Sequence, residues 1–361
     1  MKSAALLAAV VILAGGDLHG QGIRERIRQR REARKGNEQK NVETAASVAA
    51  GSCASPNVGF RIITFPSGLR AAAWYPATTS GKSYAYANAL SSGLATEAEV
   101  ADCGRYPVAV FSHGFGGCGT QSVFFTEELA RAGYVVIAPD HKDAKCKVDQ
   151  PREGRFRFER AEEPFRKPDK WSDETYDDRR DDIRTILDEL PKMSEFSGHL
   201  DMSRVAGVGH SLGGYTMMGM AGGWESWKDR RIKALLLFSP YSAPYLSQSR
   251  LQDIDVPVMY QGGDRDRGIT PGLSKPEGVY DRSNAPKYYV EFKNQGHLDW
   301  TVRACQGMGT VEACAKSSKV RPVVDYGIRF LNQHVGGKGR DLKSFTAGNN
   351  SGVNSFRHRE K

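Results

Sequence analysis

Three observations predict an α/β fold with a mostly parallel sheet and helices on both faces. Short apolar runs of strand length recur along the chain, at 108–112, 134–138, 205–208, 234–238, 256–260 and 288–292. Segments with helical spacing separate several of them, at 121–132, 175–190, 212–220 and, after the last run, 320–334. Glycines and prolines punctuate the junctions. Strands with no polar alternation are buried on both faces, and alternation with helices is the signature of a parallel sheet.

The elements follow in order. Residues 4–14 are eleven consecutive apolar residues after Met1-Lys2-Ser3. That is too short for a membrane-spanning helix, which needs about 20 residues, and it fits a secretory signal over 1–20. Residues 21–52 read as a basic, solvated linker. The apolar runs 60–65 and 69–75 flank Pro66-Ser67-Gly68 and predict a hairpin. The helix at 121–132 stops at Gly133, a C′ signal. Residues 147–178 are rich in charge, Pro and aromatics, and read as a solvated loop or a lid insertion. The helix at 175–190 carries its stripe on Ile183, Ile186, Leu187 and Leu190. A catalytic domain is thus expected over 53–337, and the Gly-, Asn- and Ser-rich residues 338–361 as a disordered basic tail.

The chain has 361 residues and a formal charge of +9. The excess sits in the two tails: +5 over 21–42 and +4 over 338–361. The body between them is formally neutral, which argues against a specific nucleic-acid reader. The tails offer weak, non-specific contact with anionic surfaces. There are six cysteines. An even count behind a secretory signal suggests disulfides, and the absence of a C-x-x-C disfavours a zinc ribbon. Cys305–Cys314 would close a short Gly-containing loop. Cys118–Cys146 would join two strand ends on one sheet edge. Cys53–Cys103 remains.

In such sheets, sites lie beyond the carboxyl ends of the strands. Four features gather there. Gly209-His210-Ser211-Leu212-Gly213 matches G-x-S-x-G at the junction of run 205–208 and the following helix, the position of a nucleophile elbow. Ser112-His113-Gly114-Phe115-Gly116-Gly117 follows run 108–112 and lacks the G-K-[ST] ending of a phosphate loop. Its Phe115 N–H, with that of Leu212, is assigned to an oxyanion hole. Run 256–260 leads to Asp264 and Asp266, of which Asp266 is favoured as the acid that orients the base. Run 288–292 leads to His297, the base. The chain order Ser…Asp…His is the one this architecture requires. His113, His141, His210 and Trp300 are candidate pocket walls. The three histidines carry no recognised metal-ligand spacing, so no metal or cofactor is expected.

These residues resemble the α/β-hydrolase superfamily. The closer resemblance is to the platelet-activating-factor acetylhydrolase, chlorophyllase and dienelactone-hydrolase-like group, which includes polyester-degrading cutinase-like enzymes. It runs from about Asn57 to His334. It is carried by Phe65-Pro66-Ser67-Gly68 with Trp74-Tyr75-Pro76, by Tyr106-Pro107-Val108 into Phe111-Ser112-His113-Gly114, by Ala138-Pro139-Asp140-His141-Lys142-Asp143, by residues 179–190 and by the elbow. The resemblance implies an α/β-hydrolase fold and a serine carboxylic ester hydrolase for short-chain or polymeric esters; the signal segment implies that it is secreted or periplasmic. The alternatives are a peptidase, amidase or thioesterase on the same triad, or a non-catalytic binding protein with a hydrolase fold.

Overall fold

The structure is a computed structural model and describes residues 57–87, 89–146, 160–337 and 352–361. The expected signal and linker, and residues 147–159 of the loop insertion, lie outside the described residues.

Described strands β1 (Asn57–Thr64), β2 (Arg70–Ala77), β3 (Lys82–Tyr86), β4 (Ala89–Thr96), β5 (Tyr106–Ser112), β6 (Val135–Pro139), β7 (Leu200–His210), β8 (Ile232–Phe238), β9 (Val258–Gly263), β10 (Lys287–Phe292) and β11 (Val353–Arg359) form one sheet. Its order is β11-β10-β9-β8-β7-β5-β6-β2-β1-β4-β3. Neighbours among β5 to β10 are parallel, and β1–β2, β2–β6, β3–β4 and β10–β11 are antiparallel. The chain leaves β5 for β6 on one side, then returns to β7 on the other. That reversal opens a crevice at the carboxyl ends of β5 and β7.

Side chains alternate between the two faces, as the period of a strand requires. Val108, Val110, Val135 and Ile137 enter one core; Ala109, Phe111, Val136 and Ala138 enter the other. Helix α1 (Val123–Arg131) buries Val123, Phe124, Phe125 and Leu129 on the second face. Helices α2 (Asp177–Glu189) and α3 (Leu212–Met218) cover the first, through Ile183, Ile186 and Leu187, and through Leu212, Tyr215 and Met217. Helix α4 (Val311–Lys316) and helix α5 (Arg321–Leu331) join α1, α5 by Val323, Val324 and Phe330. Truncating a fully buried Ile such as Ile183 to Ala would cost about 2–5 kcal/mol. Gly133, at φ +96°, ends α1 as expected, since a left-handed residue there costs glycine little.

The structure departs from the sequence reading in three places. Strands β3 and β4 were not expected. β11 lies in the tail expected to be disordered, and pairs antiparallel with β10 from Lys287–Arg359 to Phe292–Val353. The described part of 147–178 is largely exposed, as a solvated loop would be, but it is also tied to the body through an aromatic anchor. Trp171 is buried against Tyr215 and Tyr241, with ring centroids 4.9 and 4.7 Å apart.

Disulfides join Cys118 to Cys146 and Cys305 to Cys314. The third expected pair involves Cys53, which lies outside the described residues.

Candidate active site

The serine turn is shaped by what a side chain would strike. A Cβ on Gly209 would fall 2.3 Å from the Gly213 carbonyl oxygen, and one on Gly213 would fall 1.9 Å from that of Ser112. Only glycine fits either place, so β7 and α3 can meet in a turn tight enough to lift Ser211 off the sheet. Ser211 sits at φ +52°, a region costly for a residue with a Cβ. Its Oγ is 2.9 Å from His297 Nε2.

His297 is delivered by the loop after β10. The Gly296 N–H donates to Asp299 Oδ2 at 2.7 Å, and Lys319 Nζ holds Asp299 Oδ1 at 2.7 Å. His297 Nδ1 lies 3.0 Å from Asp266 Oδ2. Asp266 follows β9, and its Oδ1 accepts from the Ile269 N–H at 3.3 Å. Burial pushes the Asp266 carboxyl up, but hydrogen bonds from His297 and Ser239 outweigh it and hold it below the usual range. Asp264 is exposed and accepts from Asn354 at 3.2 Å. The structure therefore brings together Ser211, His297 and Asp266, and leaves Asp264 outside.

The Ser112–Gly117 turn faces the serine from β5. A Cβ on Gly114 would fall 2.9 Å from His210 Nδ1, so this glycine allows the turn to close on the elbow. The N–H groups of its neighbours Gly114, Gly116 and Gly117 are all engaged. Those of Phe115 and Leu212 have no acceptor among the described residues. Two spare backbone donors beside a serine–histidine pair are what a developing oxyanion needs.

Of the four expected pocket walls, His210 lines the cavity; His113, His141 and Trp300 do not. Each of these three is fully enclosed, with its polar atoms spent on neighbours. His141 Nδ1–H donates to Asp182 at 2.8 Å, leaving Nε2 to accept from the Ser112 hydroxyl at 2.8 Å. His113 Nε2 accepts from the His141 N–H at 3.1 Å, so its Nδ1–H donates to the Gly114 carbonyl at 2.7 Å. Burial and the charge of Arg179 push both imidazoles far below their usual range, so they stay neutral. Trp300 Nε1–H donates to Gln261 at 3.2 Å, and its carbonyl accepts from Ser122 at 2.6 Å. That pins the His297 loop to β9 and to the turn before α1.

His210 itself is a tie. Its Nε2–H donates to the His297 carbonyl at 2.8 Å, and its Nδ1 accepts from Gln121 at 3.0 Å. Gln121 in turn accepts from the Gly114 N–H at 3.2 Å. Burial and the neighbouring His297 push His210 down to about 3, which keeps it neutral and fixes that tautomer.

Sequence reasoning missed two further contributors. Ser239, at the end of β8 with φ +42°, donates from Oγ to Asp266 Oδ2 and lies 2.9 Å from His297 Nδ1. Arg179 on α2, fully buried, clamps Asp143 and donates to the His113 carbonyl at 2.8 Å. No local motif flags either residue, because each matters only through what the fold packs against it. The cavity above Ser211 has a volume of about 860 Å³, and Phe115, Phe165, Tyr241, Ile269, Leu298 and Val302 supply its apolar wall. Cys118 and Cys146 also line it.

The family model for platelet-activating factor acetylhydrolase, isoform II, matches residues 83–155. The chain is 28% identical over 199 residues to cutinase est1 of Thermobifida alba, a match covering 54% of each chain. It is 24% identical over 162 residues to the platelet-activating factor acetylhydrolase of Cavia porcellus, covering 39% of this chain and 36% of that relative. The matches thus span about half or less of the length of these curated relatives. Sheet order, elbow and matches together support an α/β-hydrolase fold similar to the platelet-activating-factor-acetylhydrolase and cutinase group.

Proposed function

We propose that the chain is a secreted serine hydrolase of carboxylic esters, acting through an acyl-enzyme on short-chain or polymeric substrates. The observation that carries this is the unbroken Ser211–His297–Asp266 chain at 2.9 and 3.0 Å, opening on the cavity. Ser211 attacks the ester carbonyl as His297 Nε2 removes the hydroxyl proton. Asp266 holds the Nδ1–H tautomer and stabilises the imidazolium. The Phe115 and Leu212 N–H groups receive the tetrahedral oxyanion, each worth about 3 kcal/mol of transition-state stabilisation. His297 then gives its proton to the leaving alcohol, and water attacks the acyl-enzyme by the same route. The relatives named a cutinase and an acetylhydrolase favour esters over amides. Export through a signal over residues 1–20, as the sequence suggests, fits the two disulfides.

The test is hydrolysis of 4-nitrophenyl esters from acetate to palmitate, with wild type beside Ser211→Ala. Turnover of the shorter esters that vanishes in the variant supports the reading. Turnover retained by Ser211→Ala overturns it.

A further inference from the structure

The charges on the cavity wall are one-sided. Arg166, Arg265 and Arg267 line it, and among the described residues Asp266 is the one carboxylate that does. Asp266 is buried and engaged by His297 and Ser239. None of the three arginines has a carboxylate partner among the described residues. Arg265 is nevertheless held in place. Its Nη2 donates to the Asn294 amide oxygen at 2.5 Å, and its backbone N–H to the Gln295 carbonyl at 2.9 Å. A neutral acceptor orients the guanidinium without cancelling its charge.

The rest of the wall is largely aromatic and aliphatic. All three side chains are exposed, so salt screens their field, while the concave apolar wall still focuses it on whatever enters. Guanidinium groups also match the planar, two-oxygen geometry of carboxylates and phosphates. A substrate with no charge would gain nothing from these three guanidinium groups.

We propose that this site selects esters carrying an anionic group, which Arg166, Arg265 and Arg267 receive while the ester carbonyl lies at Ser211. The inference rests on the ester-hydrolase reading. It predicts a preference between two substrates that differ in charge and little in shape.

The experiment uses the full chain and two isosteric pairs. One pair places the charge on the alcohol: 3-(butyryloxy)benzoate against 3-(butyryloxy)benzamide. The other places it on the acyl group: monoethyl adipate against the ethyl ester of adipamic acid. In at least one pair, kcat/KM for the carboxylate is expected to exceed that for the carboxamide by about tenfold at low salt. The ratio should shrink as salt rises from about 20 mM to about 500 mM. It should fall to near one when all three arginines are changed to glutamine. Single Arg→Gln variants, read by the same internal ratio, serve if the triple variant is poorly folded. Equal kcat/KM in both pairs, or a preference that survives the substitutions, overturns the inference and leaves the hydrolase reading standing. Failure to turn over any of the four esters or 4-nitrophenyl butyrate removes the hydrolase reading, and this inference falls with it.

Discussion

Arg179 and Asp143 form a buried two-pronged ion pair beneath the Ser112–Gly117 turn, with Nη2 at 2.7 and 2.9 Å from the two carboxylate oxygens and Nε at 3.0 Å from Oδ1. The pair grips the turn on both sides of Phe115. Arg179 Nη1 donates to the His113 carbonyl at 2.8 Å, and Asp143 Oδ2 accepts from the Gly116 N–H at 2.9 Å. Burial alone would raise the Asp143 carboxyl; the Arg179 guanidinium outweighs it and holds the group well below its usual range. The pair therefore stays charged and sets where the Phe115 N–H points.

Arg179→Lys keeps the charge but loses the planar fork. We expect kcat to fall about 10- to 100-fold, because small misplacement of a catalytic group costs that much, with KM little changed. Asp143→Ala leaves a buried guanidinium unpaired and should cost about 3–5 kcal/mol of stability. Steady-state kinetics and thermal unfolding of both variants check this. A fall in stability without the kcat effect for Arg179→Lys would reduce the pair to scaffolding.

The two aspartates after β9 should separate cleanly. Asp266→Asn leaves the geometry but favours the wrong imidazole tautomer, and should lower kcat about 10⁴-fold, as in comparable triads. Asp264→Asn should stay near wild type, since its carboxylate is exposed and away from His297. Ser239→Ala removes one of the three hydrogen bonds, from His297, Ser239 and the Ile269 N–H, that hold the Asp266 carboxyl down. A loss of about tenfold in kcat is expected, consistent with one hydrogen bond to a charged group at about 1.5–3 kcal/mol being partly expressed in the rate. Kinetics of the three variants on one short ester decide all three points.

The parallel strands β5 to β10 were legible because each carries a central apolar run buried on both faces, such as 108–111, 135–138, 205–208 and 234–238. β3 and β4 were not, since KSYAY and ALSSGLAT hold few β-branched residues and their exposed positions read as loop. β11, with the sequence VNSFRHR, has the polar character of an edge strand; its backbone pairing with β10 and the burial of Val353 seat it. At the site, Ser211, Asp266 and His297 were legible because each stands at a strand end in a fixed chain order. His113 and His141 lie at the same strand ends but one layer deeper. Sequence position gives the neighbourhood of a side chain and not its depth, so pocket wall and buried support could not be told apart.

The two disulfides should contribute unequally. They close separations of 28 residues, Cys118 to Cys146, and 9 residues, Cys305 to Cys314. Loop-closure entropy gives about 3.6 and about 2.6 kcal/mol respectively. Replacing both cysteines of the longer link by serine should therefore lower Tm further, by roughly 2–4 °C at this domain size. It should also impair activity more, because Cys118 and Cys146 line the cavity. Differential scanning calorimetry and ester kinetics on the two paired variants read both effects.

Stability should also depend on pH through a carboxyl outside the triad, whose partner Tyr86 lines the cavity. Glu127 on α1 is buried, with Oε1 accepting from the Tyr86 hydroxyl at 2.9 Å and Oε2 from the Ser91 hydroxyl at 3.1 Å. Burial pushes its carboxyl from 4.5 up to about 8, and the charge of nearby Glu312 adds to this. Between those two values the folded chain holds a proton that the unfolded chain has released. Stability must then fall as pH rises through this window, and level off above about 8. Glu127→Gln removes the ionisation while keeping a polar amide in reach of Tyr86 and Ser91. Its Tm should fall less than that of the wild type from pH 5 to pH 8, by roughly 2–8 °C, which corresponds to about 1–2 kcal/mol. Parallel Tm–pH curves for the two proteins would mean that Glu127 is already ionised in the folded state, with its charge met by the hydroxyls around it.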